Sequence, residues 1–233
     1  MIEIDNLTKR FGMQHALRSI NLKIDEGEMV TLFGPNGAGK TTLLKILATL
    51  SRPSSGRVLL RGHELTASWS EVRRYIGLVT HQSLLYPDLT AEENLAFYAR
   101  LYDVPNAADR AREVLDWVGL LPRYHDRVRT YSRGMLQRLS IARALLHDPQ
   151  IMLLDEPYSG LDEAAAQKLH TLLHRIHTEE PRRLTLMSTH DLERGLALAN
   201  RVLILRRGKI VLDEPRGALD VGQWRATYLQ YVG

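Results

Sequence analysis

The sequence predicts an α/β fold with a mainly parallel sheet, an N-terminal antiparallel β subdomain and an inserted helical subdomain. Three observations lead to this prediction. Short, largely apolar runs such as 29–33 and 151–154 alternate with helical patterns, as buried parallel strands do. Residues 1–24 alternate apolar and polar side chains, as antiparallel strands with one solvated face do. Residues 88–148 carry helix signals with no strand signal among them.

Composition sets broad limits on function. The chain has 233 residues, of which 44% are hydrophobic and 25% charged, as in an ordinary globular domain. Its net charge of +4 does not by itself indicate nucleic acid, and we expect no nucleic-acid partner. The absence of cysteine excludes disulfides and cysteine-ligated metals. No apolar run approaches the roughly 18 residues that span a bilayer, and the N-terminus does not read as a signal peptide. Any membrane role is therefore expected to depend on a partner.

A glycine-rich loop follows the apolar run 29–33 and precedes a helical pattern. It fits the pattern G-x-x-x-x-G-K-[ST], in which the backbone N–H groups and the helix N-terminus surround phosphate oxygens. The lysine would reach the β- and γ-phosphates, and the hydroxyl of Thr41 would bind Mg²⁺. The α/β fold is therefore expected to have a phosphate-loop NTPase core. The predicted cofactor-binding residues of this loop are Gly34, Pro35, Asn36, Gly37, Ala38, Gly39, Lys40, Thr41 and Thr42.

Polar residues follow three further apolar strands. Gln82 lies just beyond the run 75–79, the pair Asp155–Glu156 ends the run 151–154, and His190 follows 184–189. Strand ends of a parallel sheet lie side by side, so these groups are expected to meet the phosphate loop.

Each of these groups has an expected role in in-line phosphoryl transfer to water. Asp155 would hold Mg²⁺, together with Thr41, and Glu156 would accept a proton from the attacking water. Gln82 would orient that water or complete the Mg²⁺ shell, and His190 would hydrogen-bond the γ-phosphate. The catalytic candidates are thus Glu156, His190 and Gln82.

The resemblance to a known family rests on six segments in a characteristic order and spacing. Together they make the chain similar to ABC-transporter ATPase subunits over about residues 1–215. The segments are Gly34–Thr42, Gln82, Tyr131–Met135, Ile151–Glu156, Ser159–Asp162 and His190.

The resemblance implies an ATP-hydrolysing subunit that closes head-to-tail on a second copy, with ATP and Mg²⁺ between them. Phe11 would then stack on adenine, although an aromatic at a turn also serves as a core residue. Ser132 and Gly134 would meet the γ-phosphate held by the opposite subunit, and Asp162 would meet the partner subunit. Residues 83–103 would abut integral membrane subunits, which places the chain in the cytoplasm, peripheral on the inner face of the cell membrane.

We expect one ABC ATPase domain over 1–233. Its nucleotide-binding core would comprise 1–87 and 149–215, its helical subdomain 88–148, and a C-terminal extension 216–233.

The signature segment departs from the usual Leu-Ser-Gly-Gly-Gln and reads Tyr131-Ser-Arg-Gly-Met135. Arg133 is expected on a solvated or interface surface rather than on a phosphate. Ser-Arg-Gly-Met followed by Leu-Gln-Arg138, together with the segment 156–162, is similar to haem exporter ATPases of cytochrome c maturation. The ABC-2 exporters of drugs and polysaccharides are nearly as similar. Export of haem or a related cargo is therefore expected, with the ABC-2 group as the alternative.

Two other classes compete with the transporter ATPase. Soluble ABC ATPases that act on ribosomes or DNA resemble this family too, but they carry a second domain with a charged linker or long coiled-coil insertions. Neither feature occurs in this sequence. A GTPase or kinase of the phosphate-loop class has no use for the signature segment or for His190.

Overall fold

The computed structural model describes residues 1–65 and 69–233, which form two sheets and a set of helices. The strands are β1 Ile2–Phe11, β2 Gln14–Ile24, β3 Met29–Phe33, β4 Ser55–Leu60, β5 His63–Glu64, β6 Ile76–Val79, β7 Ile151–Asp155, β8 Leu184–Ser188, β9 Arg201–Arg206 and β10 Lys209–Pro215. The helices are α1 Lys40–Leu47, α2 Trp69–Arg73, α3 Ala91–Leu101, α4 Ala107–Trp117, α5 Arg133–Leu145, α6 Glu163–Glu179, α7 Leu192–Leu198 and α8 Trp224–Val232.

The larger sheet has the strand order β10-β9-β3-β8-β7-β6. Strands β9, β3, β8, β7 and β6 pair in parallel, and β10 adds an antiparallel edge next to β9. The smaller sheet, β2-β1-β4-β5, is antiparallel throughout. Helices α3, α4 and α5 stand between β6 and β7 in the chain. The mainly parallel sheet, the N-terminal antiparallel sheet and the inserted helices are those that the sequence predicted.

The larger sheet is buried on both faces, because every residue of β3, β7 and β8 is buried. One core fills the space between the two sheets around α1, where Leu17, Leu43 and Leu186 pack. A second core joins the other face to helices α3 to α6, with Leu95 and Leu173 among its members. The two cores hold the carboxyl ends of the parallel strands in fixed register.

Side chains cap the N-termini of α3, α5 and α6. Thr90 and Glu93 form a reciprocal capping box at α3. Ser132 accepts from the N–H of Met135 at α5, and Asp162 caps α6 in the same manner. These caps fix where the two helix N-termini that carry candidate site residues begin.

The C-terminal extension folds back onto the larger sheet. Trp224 of α8 is 3% exposed, and its ring centroid lies 5.2 Å from that of Phe33, the last residue of β3. This pair belongs to a small third core of seven buried residues, with Leu196 and Ile204 among the other members. The extension is therefore part of the support beneath the glycine-rich loop.

None of the helices in the described part of the chain has the length and hydropathy of a membrane-spanning helix.

Candidate functional site

The glycine-rich loop turns tightly between β3 and α1. Gly37 and Gly39 have φ values of 77° and 112°, which favour glycine. A Cβ on Gly34 would overlap the carbonyl oxygen of Leu205, and one on Gly39 would lie 2.5 Å from that of Ala16. Neither position therefore accepts a side chain. Helix α1 begins at Lys40, so the last three residues of the loop form its first turn and contribute its N-terminal N–H groups.

Lys40 lies within this loop rather than in solvent. Its side chain is 7% exposed, and Nζ donates to the carbonyl oxygen of Gly34 at 2.6 Å. The same nitrogen lies 3.7 Å from Oε1 of Glu156. A buried ammonium group needs such partners, since burial without them is costly. The cation is thus held where the loop and the end of β7 meet.

A cavity of about 320 Å³ opens in front of the loop. Phe11, 58% exposed, stands at this cavity, with Nζ of Lys9 4.9 Å from its ring centroid. Gln14, His15 and Ala16, close to Phe11 in the chain, match no motif of the sequence and were not predicted. The cavity is lined by Phe11, Gln14, His15, Ala16, Pro35, Asn36, Gly37, Ala38, Gly39, Lys40, Thr41, Thr42 and Glu156.

The carboxylate of Asp155 is fixed by two hydroxyl groups. Thr41 Oγ1 donates to Oδ1 of Asp155 at 3.1 Å, and Ser188 Oγ donates to the same oxygen at 2.6 Å. Asp155 and Ser188 are 4% and 0% exposed, so the bond between them lies in the protein interior, whereas the bond from Thr41 is partly exposed. Sequence reasoning missed Ser188. The only signal for it was a hydroxyl one residue from the end of an apolar strand.

Glu156 has an unusual backbone conformation. Its φ of 52° lies in the left-handed region, which non-glycine residues seldom adopt. The N–H of Glu156 donates to both the carbonyl oxygen and Oγ of Ser188, at 3.0 and 3.2 Å. This pairing to β8 holds the residue in a conformation that costs about 1–2 kcal/mol.

The Glu156 side chain bridges two neighbouring strand ends. Oε2 lies 2.7 Å from Nδ1 of His190, and the N–H of His190 donates to the same oxygen at 3.3 Å. A carboxylate can only accept, so Nδ1 carries the hydrogen of this bond and donates it. With Lys40 on Oε1, both carboxylate oxygens have a partner.

A second cavity, of about 390 Å³, opens on the other side of Glu156. Its lining contains His81 rather than Gln82, which is exposed and pairs with Thr80 through its own backbone. The structure thus brings the neighbour of the predicted residue to this cavity. The lining residues are His81, Ser83, Arg133, Leu136, Gln137, Glu156 and Ser159.

The signature residues lie apart from the phosphate loop of their own chain. Within the described ranges, neither Ser132 nor any residue of α5 lines the loop cavity. Ser132 and Asp162 are exposed at the N-termini of α5 and α6. Gly134 lies so near α6 that a Cβ on it would stand 3.0 Å from that of Ala165. These three predicted residues therefore share one surface, at the start of two packed helices.

The C-terminal helix also reaches the site. Burial raises the pKa of Tyr228 above its ordinary value, and the negative charge of Glu156 raises it further. The Tyr228 ring lies 6.4 Å from that of Phe33. The sequence assigned no role to this helix because its spacing showed only that it was helical.

Comparison with known proteins decides the family. The ABC transporter family matches residues 17–159, more than half of the chain. The chain belongs to the ABC transporter ATP-binding family. It is 38% identical over 218 residues to the sulfate/thiosulfate import ATP-binding protein CysA of Bradyrhizobium diazoefficiens, covering 90% of this chain and 62% of that protein. It is 32% identical over 213 residues to the linearmycin resistance ATP-binding protein LnrL of Bacillus subtilis, covering 91% and 68%.

A solved structure of the family has the same fold. The ATP-binding cassette MJ0796, in a dimeric post-hydrolysis state bound to ADP and Pi, aligns with a TM-score of 0.84 and 31% identity. The alignment covers 93% of this chain and 99% of that chain. The predicted fold class is confirmed: this ABC ATPase has the phosphate-loop α/β cassette fold. Its membership also confirms that it is the ATP-binding subunit of an ABC transporter, for which ATP is the cofactor.

Proposed function

We propose that this ABC ATPase hydrolyses ATP at a site completed by a second copy, and thereby drives export through separate membrane subunits. The observation that carries the proposal is the position of Glu156, whose carboxylate oxygens lie between Lys40 and His190. Glu156 also lines both cavities, and so stands between the phosphate loop and the signature helix.

The chemistry assigned to these residues is the transfer of the γ-phosphoryl group to water, giving ADP and phosphate. Glu156 accepts a proton from the attacking water, while His190 holds Glu156 through Nδ1–H and donates from Nε2–H to a phosphate oxygen, with both ring nitrogens carrying hydrogen. Lys40 gives up the carbonyl of Gly34 and contacts the β- and γ-phosphates instead. Since little covalent chemistry falls to the protein, positioning and charge supply most of the acceleration.

Magnesium suits the donor set at the end of β7. Thr41 Oγ1 and Asp155 Oδ1, 3.1 Å apart, are the oxygen donors that Mg²⁺ prefers. When bound there, Mg²⁺ would neutralise charge on the phosphates. Gln82 remains a proposed third ligand or water-orienting residue, with a backbone shift needed to carry its amide toward Glu156.

The second copy supplies the remaining contacts in this proposal. Ser132, Gly134 and the N-terminus of α5 would close over the γ-phosphate held by the opposite subunit, with Asp162 at the shared interface. Their separation from the loop of their own chain supports an arrangement in trans. The dimeric state of MJ0796 supports it too.

A glutamate-to-glutamine substitution tests the enzyme proposal. Glu156→Gln removes the proton acceptor but keeps the size of the side chain, so ATP binding is expected to persist while turnover is lost. The trapped dimer should appear by size-exclusion chromatography with ATP. Glu113→Gln is the control, because Glu113 pairs with Arg110 at 2.9 Å on α4. Hydrolysis by Glu156→Gln at the unmutated rate would disprove the assignment of the base.

Export rests on the signature segment, and its cargo is the narrower proposal. Ser-Arg-Gly-Met resembles the segments of haem exporters and of ABC-2 exporters, and the similarity to LnrL supports the second group. The similarity to CysA favours import instead. In all three cases the chain would act at the cytoplasmic face of the cell membrane, bound to integral membrane subunits.

Co-purification from membranes, followed by transport assays, separates these cases. Inside-out vesicles that contain the purified complex should accumulate cargo in their lumen when ATP is added outside. Cytochrome-maturation components among the co-purified subunits would support haem, and their absence from an active complex would exclude it. Loss of cargo from preloaded inside-out vesicles would indicate import.

A further inference from the structure

The residue that departs most from the usual signature pattern makes a specific contact within its own chain. Arg133, the first residue of α5, packs its guanidinium group over Gly160. A Cβ built on Gly160 would overlap the guanidinium carbon and lie 2.5 and 2.6 Å from Nη2 and Nε. The guanidinium group therefore fills the space that a side chain at residue 160 would need.

Gly160 belongs to a tight turn that begins at Glu156. The N–H of Ser159 donates to the carbonyl oxygen of Glu156 at 3.0 Å, and that of Leu161 donates to Tyr158 at 3.2 Å. Gly160 itself has a φ of 70°, which favours glycine. This turn runs from the proposed base to the cap of α6, so a contact on Gly160 acts on a rigid segment.

Gly134 makes a second contact between the same two parts of the chain. The close approach of Gly134 to Ala165 places the first turn of α5 directly against the first turn of α6. Arg133 and Glu156 also line the same 390 Å³ cavity. The start of α5 is thus fixed to the segment 156–165 at two points, one on each side of Asp162.

We infer that Arg133 is a positioning residue that fixes the signature segment to the turn after Glu156. The inference rests on the proposed function, in which Ser132 and Gly134 serve the partner's ATP while Glu156 serves the ATP of its own chain. Arg133 then connects the signature segment, which serves the partner's ATP, to the turn after Glu156, which serves the ATP of its own chain. A shift of the turn upon hydrolysis at one site would move the signature segment that covers the other site.

A double-mutant cycle on turnover tests this coupling. Arg133→Ala and Gly160→Ala should each lower kcat about 10-fold, because the first removes the guanidinium group and the second displaces it. Arg133→Ala combined with Gly160→Ala should be no slower than the slower single variant. The strain of a left-handed alanine is the same in both backgrounds and cancels in the cycle. Fully multiplicative losses would overturn the inference.

Two substitutions at Arg133 alone give an answer even if Gly160→Ala does not fold. Arg133→Lys keeps the charge but lacks the planar fork, and Arg133→Met keeps only the length. Both should be as slow as Arg133→Ala if the guanidinium group must pack on Gly160. A fully active Arg133→Lys would show that charge alone suffices, and would overturn the inference.

Binding and exchange measurements distinguish positioning from a general loss of structure. ATP affinity of the monomer should stay unchanged in Arg133→Ala, since the phosphate loop lies elsewhere, whereas amide hydrogen exchange in 157–162 should increase. Unchanged exchange would contradict the inference.

Wild type and Glu156→Gln are assayed beside these variants. A wild-type chain that fails to hydrolyse ATP refutes the proposed function, and multiplicative losses in an active enzyme refute only the role of Arg133.

Discussion

Ser188 offers the sharpest single test of how the site is held together. Its hydroxyl donates to Asp155 at 2.6 Å and accepts from the N–H of Glu156 at 3.2 Å, with both oxygens buried. Ser188→Ala removes a hydrogen bond to a charged group, which contributes about 1.5–3 kcal/mol. Taking about 2 kcal/mol, and about 2–4 °C per kcal/mol for a domain of this size, Tm should fall by about 4–8 °C.

Ser140→Ala is the matched control for this measurement. Ser140 is also 0% exposed, but its hydroxyl bonds to the neutral carbonyl oxygens of Leu136 and Ser83, at 2.9 and 3.2 Å. Its loss should lower the free energy of unfolding by about 0.5–1.5 kcal/mol. Both variants would be unfolded in urea at pH 7 without nucleotide. If Ser188→Ala is destabilised no more than Ser140→Ala, the charge-assisted bond to Asp155 is not a significant source of stability.

The same substitution should affect catalysis through the metal. Without the Ser188 hydroxyl, Asp155 keeps only Thr41 as a hydroxyl partner, so its carboxylate is less well oriented. Supporting groups of this kind change metal affinity or activity by about 10- to 100-fold. The Mg²⁺ concentration for half-maximal turnover should therefore rise at least about 10-fold in Ser188→Ala and remain unchanged in Ser140→Ala. An equal Mg²⁺ requirement in both variants would contradict the assignment of Asp155.

Two further predictions concern stability. Burial lowers the pKa of His147 to about 4, below its value in the unfolded chain. Its contribution to the free energy of unfolding is therefore complete above about pH 6.5 and is lost as pH falls toward 4. Between pH 7.5 and 5, the free energy of unfolding in urea should drop by about 2 kcal/mol more in wild type than in His147→Phe. The control His174→Phe, at an exposed position, should behave like wild type, and equal drops in all three proteins would refute this prediction. Trp224→Ala should cost about 3–5 kcal/mol, since the indole is 3% exposed. Leu229→Ala, 56% exposed, should change stability within about 0.5 kcal/mol, and a similar small loss for Trp224→Ala would show that the C-terminal helix is dispensable.

Much of the site could be predicted because its parts follow simple rules. A glycine-rich loop between a strand and a helix commonly binds phosphate. Polar residues at the ends of apolar strands meet at one edge of a parallel sheet. The order β3-β8-β7-β6 does place the loop, His190, Asp155–Glu156 and the 80–82 segment along one edge. The roles of these residues in hydrolysis stay predictions.

Other features depend on tertiary contacts that no local pattern encodes. Gln82 and His81 follow the end of β6 in irregular backbone, where the two-residue period of a strand no longer tells which side chain faces the cavity. The contact of Arg133 with Gly160 joins a helix start to a turn that is distant in sequence. Trp224 packs on Phe33 almost two hundred residues away, so helical spacing revealed its helix but not its neighbour.

The pairing of β3 sets the order in which the molecule can be completed during synthesis. Strand β3 ends at Phe33, whereas its hydrogen-bonded neighbours β8 and β9 begin about 150 and about 170 residues later. At about 5–20 residues per second, roughly 8–30 s pass between the synthesis of β3 and that of β8. A ligand that requires the loop in its paired geometry therefore meets that geometry only after β8 and β9 have been made.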